Sequence, residues 1–372
     1  MKFIDRSEQV ASLGRTLADA PLLALDTEAA GYHRYHDRLC VVQVSTREET
    51  FVIDALAAEI APLGEVFASG SNETILHDAD FDLRLLGRDH GIRVANLFDT
   101  KVAAQLLGET TLGLAGLVEK HVGVRLDKKH QRADWARRPL PAELIEYAAE
   151  DTRHLPSLRD MLRSRLVELD RLRWAEEEFR LREAMAPSPS ENGAGWQRIK
   201  NTRDLTPRQY GALRELFLWR DGVARERDVA PFRVLANETL VAVARSMPAG
   251  SSALSALDGI TPLIASRHGA DLLSAVERAR RLTEVDLPVR VRGPRRPPPD
   301  PQFDALVERL RGVRDRIADE LGLERGFLMP RQQLEEVARL RPEDTRDLRD
   351  VPDIRAWQIE VMGEALLEAL TR

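Results

Sequence analysis

The stretch PLLALDTEA, at residues 21–29, sets the fold and contains the first candidate functional residues. Its apolar half, Leu22 to Leu25, is typical of a buried strand. Side chains alternate along a strand, so Asp26 and Glu28 are predicted to lie on one face, where two carboxylates can share a cation. The same Asp-x-Glu pattern is also common as a turn or a helix cap. The pair alone therefore leaves a metal site and a structural role open.

Runs of apolar or alternating residues around this stretch predict the rest of the sheet. Those at residues 38–45 and 50–56 predict, with the first, an antiparallel meander of three strands. The runs TILH and VANLFD each precede a segment of helical period, and further helices are expected around 112–122 and from Pro141 to about residue 183. The sequence therefore predicts a mixed α/β sheet with flanking helices. Sites in such sheets lie at strand ends, where Asp26 and Glu28 fall.

A second group of acids follows the run TILH, in the sequence HDADFDL. It offers Asp78, Asp80 and Asp82, and sequence position alone does not decide which of them belongs to a site. An acid that starts a helix can also serve only as its cap or sit in its first turn. His77, at the predicted strand end, is expected to be packed or hydrogen-bonded rather than a metal ligand.

A third group consists of Tyr147 and Asp151 in IEYAAEDTRHL. Residues four apart on a helix share a face, so the acid could bind a metal while the phenol positions a water. A tyrosine with a pKa near about 10 is a poor general base at neutral pH, which favours positioning. The competing interpretation is a half-buried aromatic beside an exposed acid.

Taken together, these acids favour a metal-dependent nuclease. Hard divalent cations such as Mg²⁺ take oxygen ligands from carboxylates and from substrate phosphates. Two such ions, about 3.5 to 4 Å apart, can stabilise both the attacking and the leaving oxygen of a phosphoryl transfer.

Composition and charge limit the classes of protein to which the chain can belong. A chain of 372 residues, 43% of them hydrophobic, has room for two or three domains with ordinary cores. We find no run near the roughly 20 apolar residues of a membrane span and no secretory signal, so we expect a cytoplasmic protein with no membrane partner. The lone Cys40 allows neither a disulfide framework nor a thiolate metal site. The net charge of −6 argues weakly against a general nucleic-acid coat.

Two stretches rich in proline and small residues divide the chain into three predicted domains. We expect a first domain at 1–185, a linker at 186–203, a helical domain at 204–285, a proline-rich linker at 286–302 and a second helical domain at 303–372. The pattern L-x-x-V-A-R-x-x-P occurs at Leu240 to Pro248 and again at Leu334 to Pro342, which suggests that the two helical domains are copies of one module.

The segments DTEA, HDADFDL, FDTKVAAQLLG, QRADWARRPL and YAAED together resemble the DEDD exonucleases of the tyrosine-containing subgroup, and among these the ribonuclease D family. The likeness covers about residues 1–180. It implies a ribonuclease H-like fold and removal of nucleotides from an RNA 3′ end with two divalent ions, Mg²⁺ or Mn²⁺, to give nucleoside 5′-monophosphates. It also implies Asp82 rather than Asp78 or Asp80, and a water held by Tyr147. The implied metal ligands are Asp26, Glu28, Asp82 and Asp151.

Residues from about 205 to 282 resemble an HRDC domain, the small helical module also found in RecQ-type helicases. The C-terminal helical domain resembles a diverged second copy. The resemblance implies that such modules grip structured RNA, so that tRNA precursors with a single-stranded 3′ end become the expected partners. Candidate RNA contacts in the first domain are His77, Lys128, Gln131, Arg132, Arg137 and Arg138. Each of those in the basic segment, from Lys128 to Arg138, could equally be an ordinary solvated side chain.

Three competing hypotheses remain at this point. The same acids would serve a 3′–5′ DNA exonuclease, because contacts to the 2′-hydroxyl distinguish RNA from DNA and these cannot be identified in the sequence. A catalytically silent RNA-binding scaffold would be expected to have lost part of the acidic set. A structural cation site would make folding, rather than turnover, depend on the metal.

Overall fold

The computed structural model describes residues 1–185, 195–290 and 300–371. The described chain forms two compact units. The first unit contains residues 1–28, 39–185 and 300–371, and the second contains residues 29–38 and 195–290. The second helical domain therefore belongs to the same unit as the sheet, whereas the first helical domain forms a unit with a short segment from the N-terminal region.

The first unit is built on a mixed sheet. Its strands are β1 (Lys2–Ile4), β2 (Leu22–Ala29), β3 (Leu39–Ser45), β4 (Thr50–Asp54), β5 (Glu73–Leu76) and β6 (Leu97–Asp99). Within the described ranges these six strands lie in the order β1-β4-β3-β2-β5-β6. Strands β3 and β4 are antiparallel, whereas β1 pairs with β4, β2 with β5 and β5 with β6 in parallel. The predicted mixed sheet is confirmed, with one additional short strand, β1, at its edge.

Helices surround this sheet. They are α1 (Ser7–Ala18), α2 (Pro62–Ala68), α3 (Asp80–His90), α4 (Thr100–Leu106), α5 (Leu114–Val122), α6 (Ala142–Arg153), α7 (Leu155–Glu168) and α8 (Leu172–Glu183). The strands are buried because helices cover them: Leu23, Leu25 and Val42 have no exposed surface. Helix α8 packs at the β6 edge, where the rings of Phe98 and Phe179 lie 5.0 Å apart.

The second unit is helical apart from residues 29–38. Its helices are α9 (Pro207–Glu226), α10 (Pro231–Val234), α11 (Asn237–Ser246), α12 (Ser251–Ser255) and α13 (Pro262–Arg281). A short 3₁₀ helix, Gly195–Arg198, precedes them, and its Trp196 is buried with its ring 4.7 Å from that of Tyr210. The packed module therefore begins before residue 204, where the sequence placed its start.

The C-terminal helices complete the first unit. They are α14 (Pro301–Leu321), α15 (Arg325–Leu328), α16 (Arg331–Leu340) and α17 (Ala356–Thr371), with a 3₁₀ helix at Asp347–Asp350. Residues 186–194 and 291–299, about half of each predicted linker, lie outside the described residues, so these parts of the linkers stay predictions. Among the helices of the described ranges, none has the length and apolar character needed to cross a bilayer.

Candidate active site

Three of the predicted acids meet at one point of the first unit. Strand β2 contributes Asp26 and Glu28 near its C-terminal end, and helix α6 contributes Asp151. Carboxylate oxygens of Asp26, Glu28 and Asp151 all lie within 4.8 Å of one another. Helix α6 is attached to the sheet by a buried contact of 2.8 Å between the hydroxyl oxygens of Ser45 in β3 and Thr152. The residue that follows Asp151 thus fixes where Asp151 lies.

Asp82 joins the same cluster through a hydrogen bond. It is the third residue of α3, it is buried, and it accepts a hydrogen bond from the hydroxyl of Thr27, which stands between the two acids of β2. The neighbouring acids have other surroundings: Asp78 pairs with Lys101, and the half-exposed Asp80 lies 3.7 Å from the guanidinium of Arg182. Of the three acids in HDADFDL, the structure brings Asp82 to the site.

The four acids lie close together and are shielded from water, and both effects raise their pKa values. Burial raises the pKa of Asp26 well above its ordinary value, and the negative charges of Asp82, Asp151 and Glu28 raise it further. Glu28 has a raised pKa for the same reasons, burial first. Burial also raises the pKa of Asp82, and that of Asp151, to about 7.

This donor set fits a divalent cation. Carboxylate oxygens are the ligands that Mg²⁺ and similar hard ions take, and a bound cation would offset the repulsion between the four acids. The residues that could hold such an ion are Asp26, Glu28, Asp82 and Asp151.

Tyr147 lies one helical turn before Asp151 and is buried. Its ring is packed edge-on against His130, at 5.5 Å between centroids, and lies 6.2 Å from that of Trp135. Burial raises the pKa of Tyr147 above its ordinary value, and the charges of nearby acids, Asp151 first, raise it further. The hydroxyl therefore stays protonated at neutral pH, which suits it to hold a water and not to act as a base.

The segment QRADWARRPL is fixed by an ion pair that the sequence did not reveal. Arg138 donates to both carboxylate oxygens of Asp54, at 2.5 and 2.6 Å, and to the carbonyl oxygens of Cys40 and Trp135 at 3.1 and 2.6 Å. Asp54 is buried at the end of β4. Arg138 therefore holds Trp135 beside Tyr147, and its guanidinium is occupied within the fold, which argues against its predicted role as an RNA contact.

The other predicted RNA contacts differ in their surroundings. His77 is half-buried with Nδ1 2.9 Å from the hydroxyl of Thr100, and burial lowers its pKa. This fits the expected packed role. The remaining candidates are exposed, and they stay predictions: Lys128, Gln131, Arg132 and Arg137.

Asp99 is a residue that the sequence reasoning missed. It is fully buried at the start of α4 and accepts hydrogen bonds from the backbone N–H groups of Lys101 and Val102 at 2.9 and 3.2 Å. The order Phe-Asp-Thr before a helix is a signal for such a cap. Its bonds to the N–H groups of Asp78 and Ala79, at 3.2 and 3.0 Å, are long-range and leave no sequence pattern.

The combination of this acidic site and the helical modules is found in known proteins. A family model described as 3′–5′ exonuclease matches residues 1–167, and the HRDC domain model matches residues 209–276 and 303–370. The chain is thus a 3′–5′ exonuclease with two HRDC domains. The second, diverged copy predicted from the internal repeat is confirmed.

Comparison with individual proteins narrows this class. Ribonuclease D of Granulibacter bethesdensis is 32% identical over 371 residues, which covers 98% of this chain and 91% of that protein. Ribonuclease D of Nitrobacter hamburgensis is 31% identical over 372 residues, with 99% and 94% covered. The crystal structure of Escherichia coli RNase D, described as an exoribonuclease involved in structured RNA processing, superimposes with a TM-score of 0.71 at 28% identity and covers 100% of this chain and 98% of that one. The chain belongs to the ribonuclease D family and is a 3′–5′ exoribonuclease.

Proposed function

We propose that this exoribonuclease trims the single-stranded 3′ ends of structured RNAs, tRNA precursors among them, one nucleotide at a time with two divalent ions. The proposal rests above all on the meeting of Asp26, Glu28 and Asp151 oxygens within 4.8 Å, with Asp82 bonded to the strand between the first two. Asp26, Glu28 and Asp151 would hold one ion, and Asp26 with Asp82 the other. When bound, such ions activate a water and stabilise the charge of the departing oxygen.

The residues of the chain supply the remaining parts of the reaction. The hydroxyl of Tyr147, held in place by His130 and Trp135, positions the attacking water. The water oxygen forms a bond to the last phosphorus while the bond from that phosphorus to the 3′ oxygen of the preceding nucleotide breaks. The departing 3′ oxygen takes up a proton, and the water loses one. The products are a nucleoside 5′-monophosphate and an RNA one nucleotide shorter with a free 3′-hydroxyl.

Two observations support a structured RNA as the substrate. The E. coli relative is described as acting in structured RNA processing, and the HRDC modules offer surface beyond the exonuclease domain for a folded RNA. Lys128, Gln131 and Arg137 are exposed in the segment that precedes α6 and could contact the backbone of the single-stranded tail. A cytoplasmic location, expected from the sequence, belongs to the same proposal.

The test is an incubation of the purified protein with 5′-labelled RNA that ends in a single-stranded 3′ tail. Mg²⁺, Mn²⁺ or EDTA is added, and Asp151→Asn and a matching DNA serve as controls. We expect a ladder shortening from the 3′ end on RNA, with nucleoside 5′-monophosphates released, and no ladder with EDTA or with the variant. Equal or faster shortening of DNA would favour the DNA exonuclease. A folded, metal-loaded protein that cleaves neither would favour the silent scaffold.

Choice of RNA is tested by competition between a tRNA precursor and an unstructured RNA with the same 3′ tail. The proposal predicts faster trimming of the precursor at limiting protein concentration. Equal rates would contradict a preference for structured RNA and would leave the exoribonuclease activity intact.

A further inference from the structure

A chain of polar contacts crosses the first unit from the second HRDC domain to the helix that contains Asp82. It begins at Trp357 in α17, a buried residue whose ring is stacked on that of Trp174 in α8 at 5.2 Å between centroids. The indole Nε1 of Trp357 donates to Oε1 of Glu178 at 3.0 Å, and Nε of Arg355 donates to the same oxygen at 3.1 Å. Glu178 is only 5% exposed, so docking of the HRDC domain buries a carboxylate of α8.

Arg182 continues the chain one turn further along α8. Its Nη1 donates to Oε2 of Glu178 at 3.3 Å. Its Nε lies 3.7 Å from Oδ2 of Asp99 and 3.7 Å from Oδ1 of Asp80. One guanidinium therefore joins the buried carboxylate of α8 to an acid at the start of α3 and to the acid that caps α4.

Asp99 connects the guanidinium of Arg182 to the start of α3, the helix that contains Asp82. Its Oδ2 accepts from the N–H of Ala79 at 3.0 Å and its Oδ1 from the N–H of Asp78 at 3.2 Å. These two residues directly precede α3, whose third residue is Asp82. The carboxylate of Asp99 thus holds the backbone at the point where α3 begins, and the direction of α3 decides where Asp82 lies.

The side chains of Glu178, Arg182 and Asp99 form a largely buried network of charges. Glu178, Arg182 and Asp99 alternate in sign, and a buried polar network is stable only when each member has its partners. Without the guanidinium, the buried Asp99 would lose its ion pair with Arg182 and Glu178 would keep only Arg355 as its counter-charge, so the acceptor of the N–H groups before α3 would be less firmly held. Metal ligands must be held within about 0.5 Å of their working geometry, so a small shift of α3 matters.

We propose that Glu178, Arg182 and Asp99 are positioning residues that set the place of Asp82, and that the second HRDC domain stabilises them by docking on α8 through Trp357. This inference rests on the proposed metal role of Asp82. It gives the second HRDC domain a task inside the exonuclease unit that does not require contact with RNA.

The test measures Mn²⁺ affinity of the full chain by electron paramagnetic resonance, together with turnover of a short single-stranded RNA. We expect Arg182→Gln to weaken Mn²⁺ binding about fivefold, a size common for residues that act on a site through other residues. The kcat should fall while KM for RNA stays within about twofold. Arg182→Lys, which keeps the charge, should restore most of the affinity. Trp357→Phe keeps an aromatic ring and removes the indole N–H donor, so it should also weaken Mn²⁺ binding, by a smaller factor than Arg182→Gln.

Arg173→Gln is the matched control. Arg173 also lies on α8 and pairs with Glu360 of α17 at 3.5 Å, but both side chains are exposed and neither touches the chain of contacts. It should leave Mn²⁺ affinity and kcat unchanged. An equal decrease in Arg173→Gln would show general loosening of the docked domain and would overturn the proposal.

Two further outcomes separate this inference from the proposed function. Asp82→Asn should weaken Mn²⁺ binding more than any other variant in the series. If Asp82→Asn weakens binding in this way and Arg182→Gln binds Mn²⁺ like the unaltered protein, the positioning role of Arg182 is wrong and the metal role of Asp82 stands. If Asp82→Asn has no effect on Mn²⁺ affinity, both are wrong. Glu178→Gln, which retains the shape of the side chain, replaces Arg182→Gln if the latter does not fold.

Discussion

The two HRDC domains are the same module in two different settings. Each contains a buried arginine that donates to backbone carbonyl oxygens: Arg220 to that of Leu235 at 2.9 Å, and Arg314 to that of Met329 at 2.7 Å. In each, the repeated L-x-x-V-A-R helix ends in a left-handed residue directly before its proline, Met247 in the first copy and Arg341 in the second. The internal framework of the module was therefore kept in both copies.

The outer surfaces of the two copies have different partners. The first forms a unit with residues 29–38, where the hydroxyl of Tyr35 donates to Asp221 at 2.9 Å and Arg233 donates to the carbonyl oxygen of Tyr32 at 3.0 Å. The second belongs to the exonuclease unit, where Glu177 of α8 accepts from the N–H groups of Ala356 and Trp357 at the start of α17, at 2.6 and 3.1 Å.

The duplicated module has thus kept its core and changed its packing partners through its surface. Helix α13 of the first copy ends in Arg278, Arg280 and Arg281, whereas helix α17 of the second has acids and no Lys or Arg. We therefore expect RNA contact at the first copy rather than at the second, which packs within the exonuclease unit.

The largest expected effect comes from removing the aromatic side chain that docks the second copy. Trp357→Ala should destabilise the first unit by about 3 to 5 kcal/mol, since it removes a buried Trp and its stacking on Trp174. Trp196→Ala, the matched change in the second unit, should cost about as much there. Hydrogen exchange read by mass spectrometry should show faster exchange in α8 for the first variant and in residues 195–290 for the second. Identical exchange patterns would contradict the division.

The pH dependence of stability should also distinguish the units. The folded-state pKa values of Asp26, Glu28, Asp82 and Asp151 are raised, so the folded protein binds more protons than the unfolded chain between about pH 4 and 7. Without metal, stability of the first unit should therefore fall as pH rises through this window, by about 1.4 kcal/mol for each unit of pKa shift.

That fall is measured by urea unfolding in EDTA at several pH values. Asp151→Asn should make it shallower, and Mn²⁺ should restore stability at pH values near neutrality. The second unit, followed by exchange of α13, should show none of this dependence. A fall of the same size in both units would mean that the active-site acids are not its source.

A smaller effect is expected from the basic end of α13. If it binds RNA phosphates, the double variant Arg278→Ala, Arg281→Ala should reduce the salt dependence of RNA binding by about 0.7 in logarithmic slope for each phosphate that is no longer neutralised. The matched double variant in the second copy, Arg309→Ala with Arg316→Ala, should leave the slope unchanged. Filter binding of a tRNA precursor at several salt concentrations gives both slopes, and equal slopes in the two variants would end the assignment.

The smallest effect is expected from the segment that joins the second unit. Tyr35→Phe removes the hydroxyl that donates to Asp221 and should destabilise residues 29–38 by about 1 kcal/mol, the usual contribution of such a hydrogen bond. Faster hydrogen exchange in residues 29–38, with the exchange of α17 unchanged, would confirm this destabilisation. Unchanged exchange in residues 29–38 would show that the bond contributes nothing.

Local patterns were sufficient to predict much of this molecule. The apolar run before Asp26 predicted strand β2, and the spacing of Tyr147 and Asp151 predicted one helix face, because both follow from the periods of strand and helix. The three-residue strand β1 was missed, since so short a run has no period to recognise.

What the sequence could not predict depends on interactions between distant residues. Asp54 and Arg138 pair across the first unit, and Asp99 holds the start of α3, with no spacing that signals either. The membership of residues 29–38 in the second unit is another interaction of this kind. Among the acids of HDADFDL, the residues alone left three choices, and the hydrogen bond from Thr27 to Asp82 distinguishes one of them.

The two-ion site is tested most directly by anomalous diffraction from crystals of the protein with Mn²⁺ and a nucleoside 5′-monophosphate. We expect two manganese peaks, one among Asp26, Glu28 and Asp151 and one between Asp26 and Asp82, with the Tyr147 hydroxyl directed at the phosphate. A crystal with the nucleotide bound and no manganese at these carboxylates would contradict it.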